Sequence, residues 1–115
     1  SEQGVTYAHK LTKEEAELDW SRPAQQLARE VRAFNPWPVS WVARPDGPMR
    51  VWAASPAHGQ GQPGTVLAVS PAGIEVACAE GSLLLSEIQL PGKKALAVAE
   101  LLRGRADLFS IGQVL

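Results

Sequence analysis

His9, His58 and Cys78 are the side chains best suited to act as a base, a nucleophile or a soft metal ligand, and the sequence around them offers no working partner. Neither histidine has a second histidine or a carboxylate at ligand spacing, so both read as surface residues. A lone cysteine closes no internal disulfide and reads as a small buried apolar residue. The acidic cluster from Glu14 to Asp19 lacks the glycine and the alternating oxygen ligands of a calcium loop, which leaves it as a solvated helix face. The stretch HGQGQPG neither follows a strand nor leads into a helix carrying a lysine, so it is not a phosphate loop. Catalysis needs a base, a nucleophile or a ligand set in one place, and this chain shows none.

The cations hold more promise. The net charge of -1 hides an uneven distribution: residues 1–20 carry -3 and residues 53–90 carry -3. Residues 21–52 carry +3 through Arg22, Arg29, Arg32, Arg44 and Arg50, and residues 91–115 carry +2 through Lys93, Lys94, Arg103 and Arg105. Two basic segments far apart in sequence make one patch only where the fold brings them together. Lys93 and Lys94 follow Pro91-Gly92 at the expected start of a helix, where the dipole is positive and a phosphate would relieve them. Solvated surface and phosphate contact account for that pair equally well. Arg103 and Arg105 close the same helix, where cations are favoured without any ligand.

The elements that must position these residues follow from periodicity. Thr12-Lys13-Glu14-Glu15 has capping-box spacing and predicts a short helical turn toward Leu18. Ser21 offers an N-cap and Pro23 suits a first turn, after which Ala24, Leu27, Ala28, Val31 and Phe34 share one helical face. Asn35-Pro36 ends that helix. The period then changes to two, predicting strands over 39–44, 49–54, 65–69, 74–79 and 82–90, with a mobile loop over 55–64. A helix over 94–103 follows, with Leu96, Ala99 and Leu101 or Leu102 facing in and Gly104 as a positive-φ C-terminal cap. The apolar tail 107–115 docks back. The fold class is mainly β with flanking helices (α+β): five strands closing into a small barrel, since an open sheet of this size leaves unpaired edges. At the corner between helix and barrel, Pro36 and Pro38 fix the turn, and Trp37 and Trp41 fill the wedge, each able to bury about 150–250 Å². Stacking of these aromatics on nucleic-acid bases is the alternative reading.

With 115 residues and a 45% apolar fraction, the chain makes one globular domain over 21–115, preceded by a linker and short turn over 1–20. No apolar run approaches the roughly 20 residues of a spanning helix, and the acidic start is no secretory signal. The expected location is the cytoplasm.

The phrases GVTYAHKLTKEEAELDW, RAFNPWPVSW and LPGKKALAVAELLRGR together resemble the C-terminal domain of methionyl-tRNA formyltransferase, from its interdomain linker to its end. The likeness covers nearly the whole chain and is carried by TYAHK, W-x-R-P-A, R-A-F-N-P-W-P and P-G-K-K. Formyltransferases acting on sugar nucleotides, and formylfolate hydrolases, share a looser version of this pattern. The resemblance implies an OB-like barrel that holds initiator methionyl-tRNA for translation initiation. The catalytic set of Asn, His and Asp belongs to an N-terminal domain of the same chain, absent from these residues, which alone are expected to be inactive. They would carry no cofactor, 10-formyltetrahydrofolate being the co-substrate of that other domain. Carried over, the RNA-facing positions are Lys10, Arg32, Lys93 and Lys94, with Arg103 and Arg105 at the helix end. The expected protein is a monomer that binds neither membrane nor DNA. The rival expectation is a domain of a related formyltransferase or hydrolase that only packs on its catalytic partner.

Overall fold

The computed structural model describes residues 13–115. His9, Lys10 and Thr12 lie outside them. A single 3-10 turn at Glu14–Ala16 leads into the helix α1, Ala24–Phe34. Ala24, Leu27, Ala28 and Val31 are buried along one stripe, as the 3.6-residue period requires, and Arg29 and Arg32 are exposed opposite. Pro23, not Ser21, holds the N-cap position. The Ser21 hydroxyl and amide both donate to Asp19 Oδ1, at 2.6 and 3.0 Å, and hold that carboxyl below its usual range. The first helical amide, of Ala24, donates instead to the Glu80 carbonyl at 3.0 Å.

Six antiparallel strands follow: β1 Ser40–Arg44, β2 Gly47–Ala57, β3 Val66–Ser70, β4 Gly73–Ala77, β5 Ser82–Gln89 and β6 Leu96–Ala97, before the helix α2, Val98–Gly104. The order is β1-β2-β5-β4-β3, with β6 beside the end of β5. Ser40, Val42, Met49 and Val51 face inward from the first hairpin, and with Leu83, Leu85, Ile88, Val66, Ile74 and Val76 they meet Leu27 and Val31 of α1 in one core. No helix of the described residues is long and apolar enough to cross a membrane.

The α+β class holds, but the sheet has six strands and does not close into a barrel. β1 and β3 do not pair with each other, because other segments already occupy their outer edges. Leu18 donates its amide to the Trp41 carbonyl at 2.9 Å on β1. On β3, Val66 donates to Gln113 and accepts from Gly112, both at 2.8 Å, so the tail docks as a strand-like cover and buries Phe109. Covered edges remove the need for closure.

Two helix boundaries differ from the pattern. Leu96 and Ala97 pair with Ile88 and Glu87, so the ladder takes residues that the helical spacing had claimed, and α2 begins only at Val98. Gly104 is the last helical residue, and the C-cap is Arg105 at φ -140°.

The segment expected to be a mobile loop is anchored. β2 runs on to Ala57, and beyond it Gly59 donates to Ser82 Oγ at 3.0 Å while that hydroxyl donates to Glu75 Oε2 at 2.6 Å. Ser82 is fully buried. Ser82→Ala removes both bonds, leaving the Gly59 amide and one carboxylate oxygen short of a partner. We expect a loss of about 1–3 kcal/mol, read as a lower urea midpoint with an unchanged slope. Cys78 is buried as expected, and its desolvation pushes the thiol up to about 11, which keeps it unreactive near neutrality.

Candidate nucleic-acid interface

The C-terminal end of α1 is wired to the turn after β5. Asn35 caps the helix with its amide on the Arg32 carbonyl at 3.4 Å, and its Nδ2 donates to the Trp52 carbonyl at 2.9 Å. Trp52 stands where the β2–β5 register shifts, between Val51 and Ala53, a local break in the ladder that lets its carbonyl serve the helix end. Its indole Nε1 donates to Gln89 Oε1 at 2.9 Å, and Gln89 Nε2 donates to the Lys93 carbonyl at 2.8 Å. This run of bonds links the C-terminal end of α1 to the backbone of the Lys93-Lys94 turn. A second contact anchors the turn: a Cβ at Gly47 would lie 3.2 Å from Pro91, so the tip of the β1–β2 hairpin rests against the residue that opens it.

Cross-strand register adds a residue that sequence reasoning left out of the site. Trp41 lies opposite Arg50, and Arg50 lies opposite Gln89, giving one row across three strands spaced about 4.8 Å apart. The alternation after Val39 carried that signal, since 41, 43, 48 and 50 all fall on the face away from Ser40, Val42, Met49 and Val51. Pairing with β5 was not readable from it.

Charge pairing separates the cations. Among the described residues Arg32, Arg50, Lys93 and Lys94 form no ion pair, and Arg32, Lys93 and Lys94 are exposed. Arg103 instead pairs with Glu100 at 3.2 Å, Arg105 with Asp107 at 3.8 Å and Arg22 with Glu30 at 3.0 Å. Exposed pairs of this kind contribute little to stability, but they offset the field of the cation locally. α2 packs on β3, β4, β5 and β6, and its arginines take no part in the bonds joining Asn35 to Lys93.

Three expectations about this surface change. Lys93 and Lys94 are not at a helix N-terminus, because β6 intervenes, so the dipole argument for a counter-anion lapses while their exposed, unpaired state remains. Trp37 does not fill the wedge; it is 64% exposed. Pro38 and Val39 take the inward positions, with Val39 at φ +74° and its amide on the Phe34 carbonyl at 2.9 Å. That reversal presents Trp37 outward from the exposed corner formed with Asn35 and Pro36. Trp41 is half-buried, its Nε1 donating to the Lys13 carbonyl. Lys10 is outside the described residues.

The surface therefore combines unpaired cations with exposed aromatic area, and it presents no acid–base pair for bond-making. Among known proteins, the formyl transferase C-terminal domain family matches residues 10–106. Methionyl-tRNA formyltransferase of Alcanivorax borkumensis is 52% identical over 118 residues, which span 99% of this chain and 36% of that protein. The enzyme of the same name from Pseudomonas paraeruginosa is 54% identical over 111 residues, spanning 96% of this chain and 36% of its own length. This chain thus corresponds to little more than a third of those relatives. Among solved structures, HypX from Aquifex aeolicus in complex with tetrahydrofolic acid superposes with a TM-score of 0.68 at 21% identity, over 84% of this chain and 18% of that one. That similarity speaks to the fold alone.

Proposed function

This chain belongs to the formyl transferase C-terminal domain family, and from that membership we propose that it is the part of a methionyl-tRNA formyltransferase that holds initiator tRNA during formylation. The observation that supports this most is the wiring of Asn35 through Trp52 and Gln89 to Lys93, with Arg32, Lys93 and Lys94 free of ion pairs around it. Backbone phosphates suit such cations, and phosphate contacts fix register without reading sequence. Residues 1–20 serve as the linker, with Lys10 as a further phosphate contact, and 21–115 form the holding domain. The formyl group of 10-formyltetrahydrofolate, the amino group of the methionine and the catalytic side chains belong to a preceding domain.

The mechanism is positional. This domain grips the tRNA body so that the acceptor end reaches the catalytic half in a productive orientation. Modest contacts suffice, because the tether between the halves raises their effective concentration. The whole acts in the cytoplasm as a monomer.

Titration of the chain with initiator tRNA between about 50 and 200 mM salt tests this. Four or five phosphate contacts give a slope of log affinity against log salt of about -3 to -5. Absence of binding at low salt, or binding indifferent to salt, would favour a domain that only packs on its catalytic partner.

A further inference from the structure

The outward face of the β1–β2 hairpin carries a cleft of about 380 Å³ whose lining includes Trp41 and Arg50 but none of Arg32, Lys93 and Lys94. Its floor and walls are Trp41, Pro38, Ala43 and Pro48, and its rim holds Lys13, Arg44 and Arg50 against the single acid Glu14. The volume falls in the range of roughly 300–1,000 Å³ that small-molecule sites occupy. Two recesses are as large or larger: one of about 600 Å³ is lined by Glu14, Glu17 and Asp19 with only Arg22 opposing them and would repel an anion, and one of about 400 Å³ holds His58 and Glu80 without a lysine or arginine.

Two parts of the cleft, Trp41 and Arg44, are held by contacts of their own. Trp41 Nε1 donates to the Lys13 carbonyl, which fixes the ring plane and brings Lys13 to the rim. Arg44 lies over the Phe109 ring at 5.1 Å from its centroid. Arg50, opposite Trp41 in the register, has neither ion pair nor side-chain hydrogen bond among the described residues. Gly47 lines the cleft and touches Pro91, so the cleft adjoins the Lys93-Lys94 turn. A flat apolar wall beside unpaired cations fits a ligand with an aromatic part and an adjoining anion. A paired base in a duplex cannot reach such a wall, whereas an unpaired nucleotide can stack there with its phosphate at the rim.

We propose that this cleft receives one unpaired nucleotide of the bound RNA, with its base against Trp41 and its phosphate on Arg50 and Lys13. The inference rests on the RNA-holding reading but adds a site with its own ligand class.

The test uses the chain labelled with 15N-tryptophan, whose indole resonances report Trp20, Trp37, Trp41 and Trp52 separately, assigned through Trp41→Phe. AMP and CMP are titrated at low salt, inorganic phosphate at equal concentrations, and then initiator tRNA. Both nucleotides should shift the Trp41 resonance saturably while phosphate leaves it unmoved. Arg50→Gln should weaken that binding about tenfold, the loss of one charge-assisted hydrogen bond, with the other three indole resonances unchanged as evidence of an intact fold. Lys93→Glu with Lys94→Glu should leave nucleotide binding within about threefold while lowering tRNA affinity, since the two sites are adjacent but distinct. A Trp41 resonance that ignores nucleotides, that responds equally to phosphate, or that responds unchanged in Arg50→Gln overturns the cleft as a nucleotide site even if tRNA binds. Nucleotide binding at Trp41 without any tRNA binding keeps the cleft and refutes the holding reading.

Discussion

Changing Lys93 and Lys94 together to glutamate lowers the affinity for initiator tRNA about 100-fold at low salt, and makes the salt slope shallower by about 2. Each lysine would supply one charge-assisted phosphate contact, a net of about 1.5 kcal/mol or roughly tenfold per site, and each contact releases close to one counterion. The matching control is Arg103→Gln with Arg105→Gln. Those arginines already face Glu100 and Asp107, so their neutralisation should cost less than about threefold. Neither pair supports the core: Lys93, Lys94, Arg103 and Arg105 are all exposed, so circular dichroism and melting should stay at the parent values. Filter binding or fluorescence titration over a salt series reads both effects. Equal losses for the two pairs would mean that only overall charge matters, and no loss for the lysines would leave the RNA without its proposed seat.

Gly73→Ala destabilises the domain by about 2–4 kcal/mol, the scale set by backbone strain combined with a buried steric conflict. Gly73 opens β4 at φ +148°, and a Cβ there would sit 2.5 Å from the Leu85 carbonyl oxygen and 3.0 Å from the Leu84 side chain. The carbonyl belongs to a core strand and cannot swing away as a long side chain would. For a domain of this size the loss corresponds to a drop in Tm of about 10–15 °C. Gly92→Ala isolates the steric part. Gly92 also has positive φ, at +73°, but nothing lies within 4 Å, so that change costs only about 1 kcal/mol. Thermal melts of both variants make the comparison, and a Gly73→Ala melt within a few degrees of the parent would refute the close approach.

Local pattern made several elements legible. α1 was readable almost to the residue because its stripe of Ala24, Leu27, Ala28 and Val31 and its Asn35-Pro36 stop are both written within thirteen consecutive positions. The strands were readable wherever the alternation was unbroken, as from Ser40 to Arg44. Pattern failed where two segments compete for the same residues. Leu96 satisfies a helical stripe and a strand pair equally well, and only the free edge of β5 beside Ile88 decided for the strand. Trp37 failed for a related reason: between two prolines, either neighbour can face inward, and burial of Pro38 and Val39 left the larger ring outside.

By itself the sequence determined the α+β class, the helix that carries Arg32 and the hairpin that carries Trp41, because each depends on periods and turn residues a few positions long. The tertiary structure alone decided that the sheet stays open and that Arg50 joins the row between Trp41 and Gln89. Those outcomes depend on backbone bonds such as Leu18 to Trp41 and Val66 to Gln113 and on the pairing of Arg50 with Gln89, whose separation along the chain leaves no local trace until the core draws the strands together.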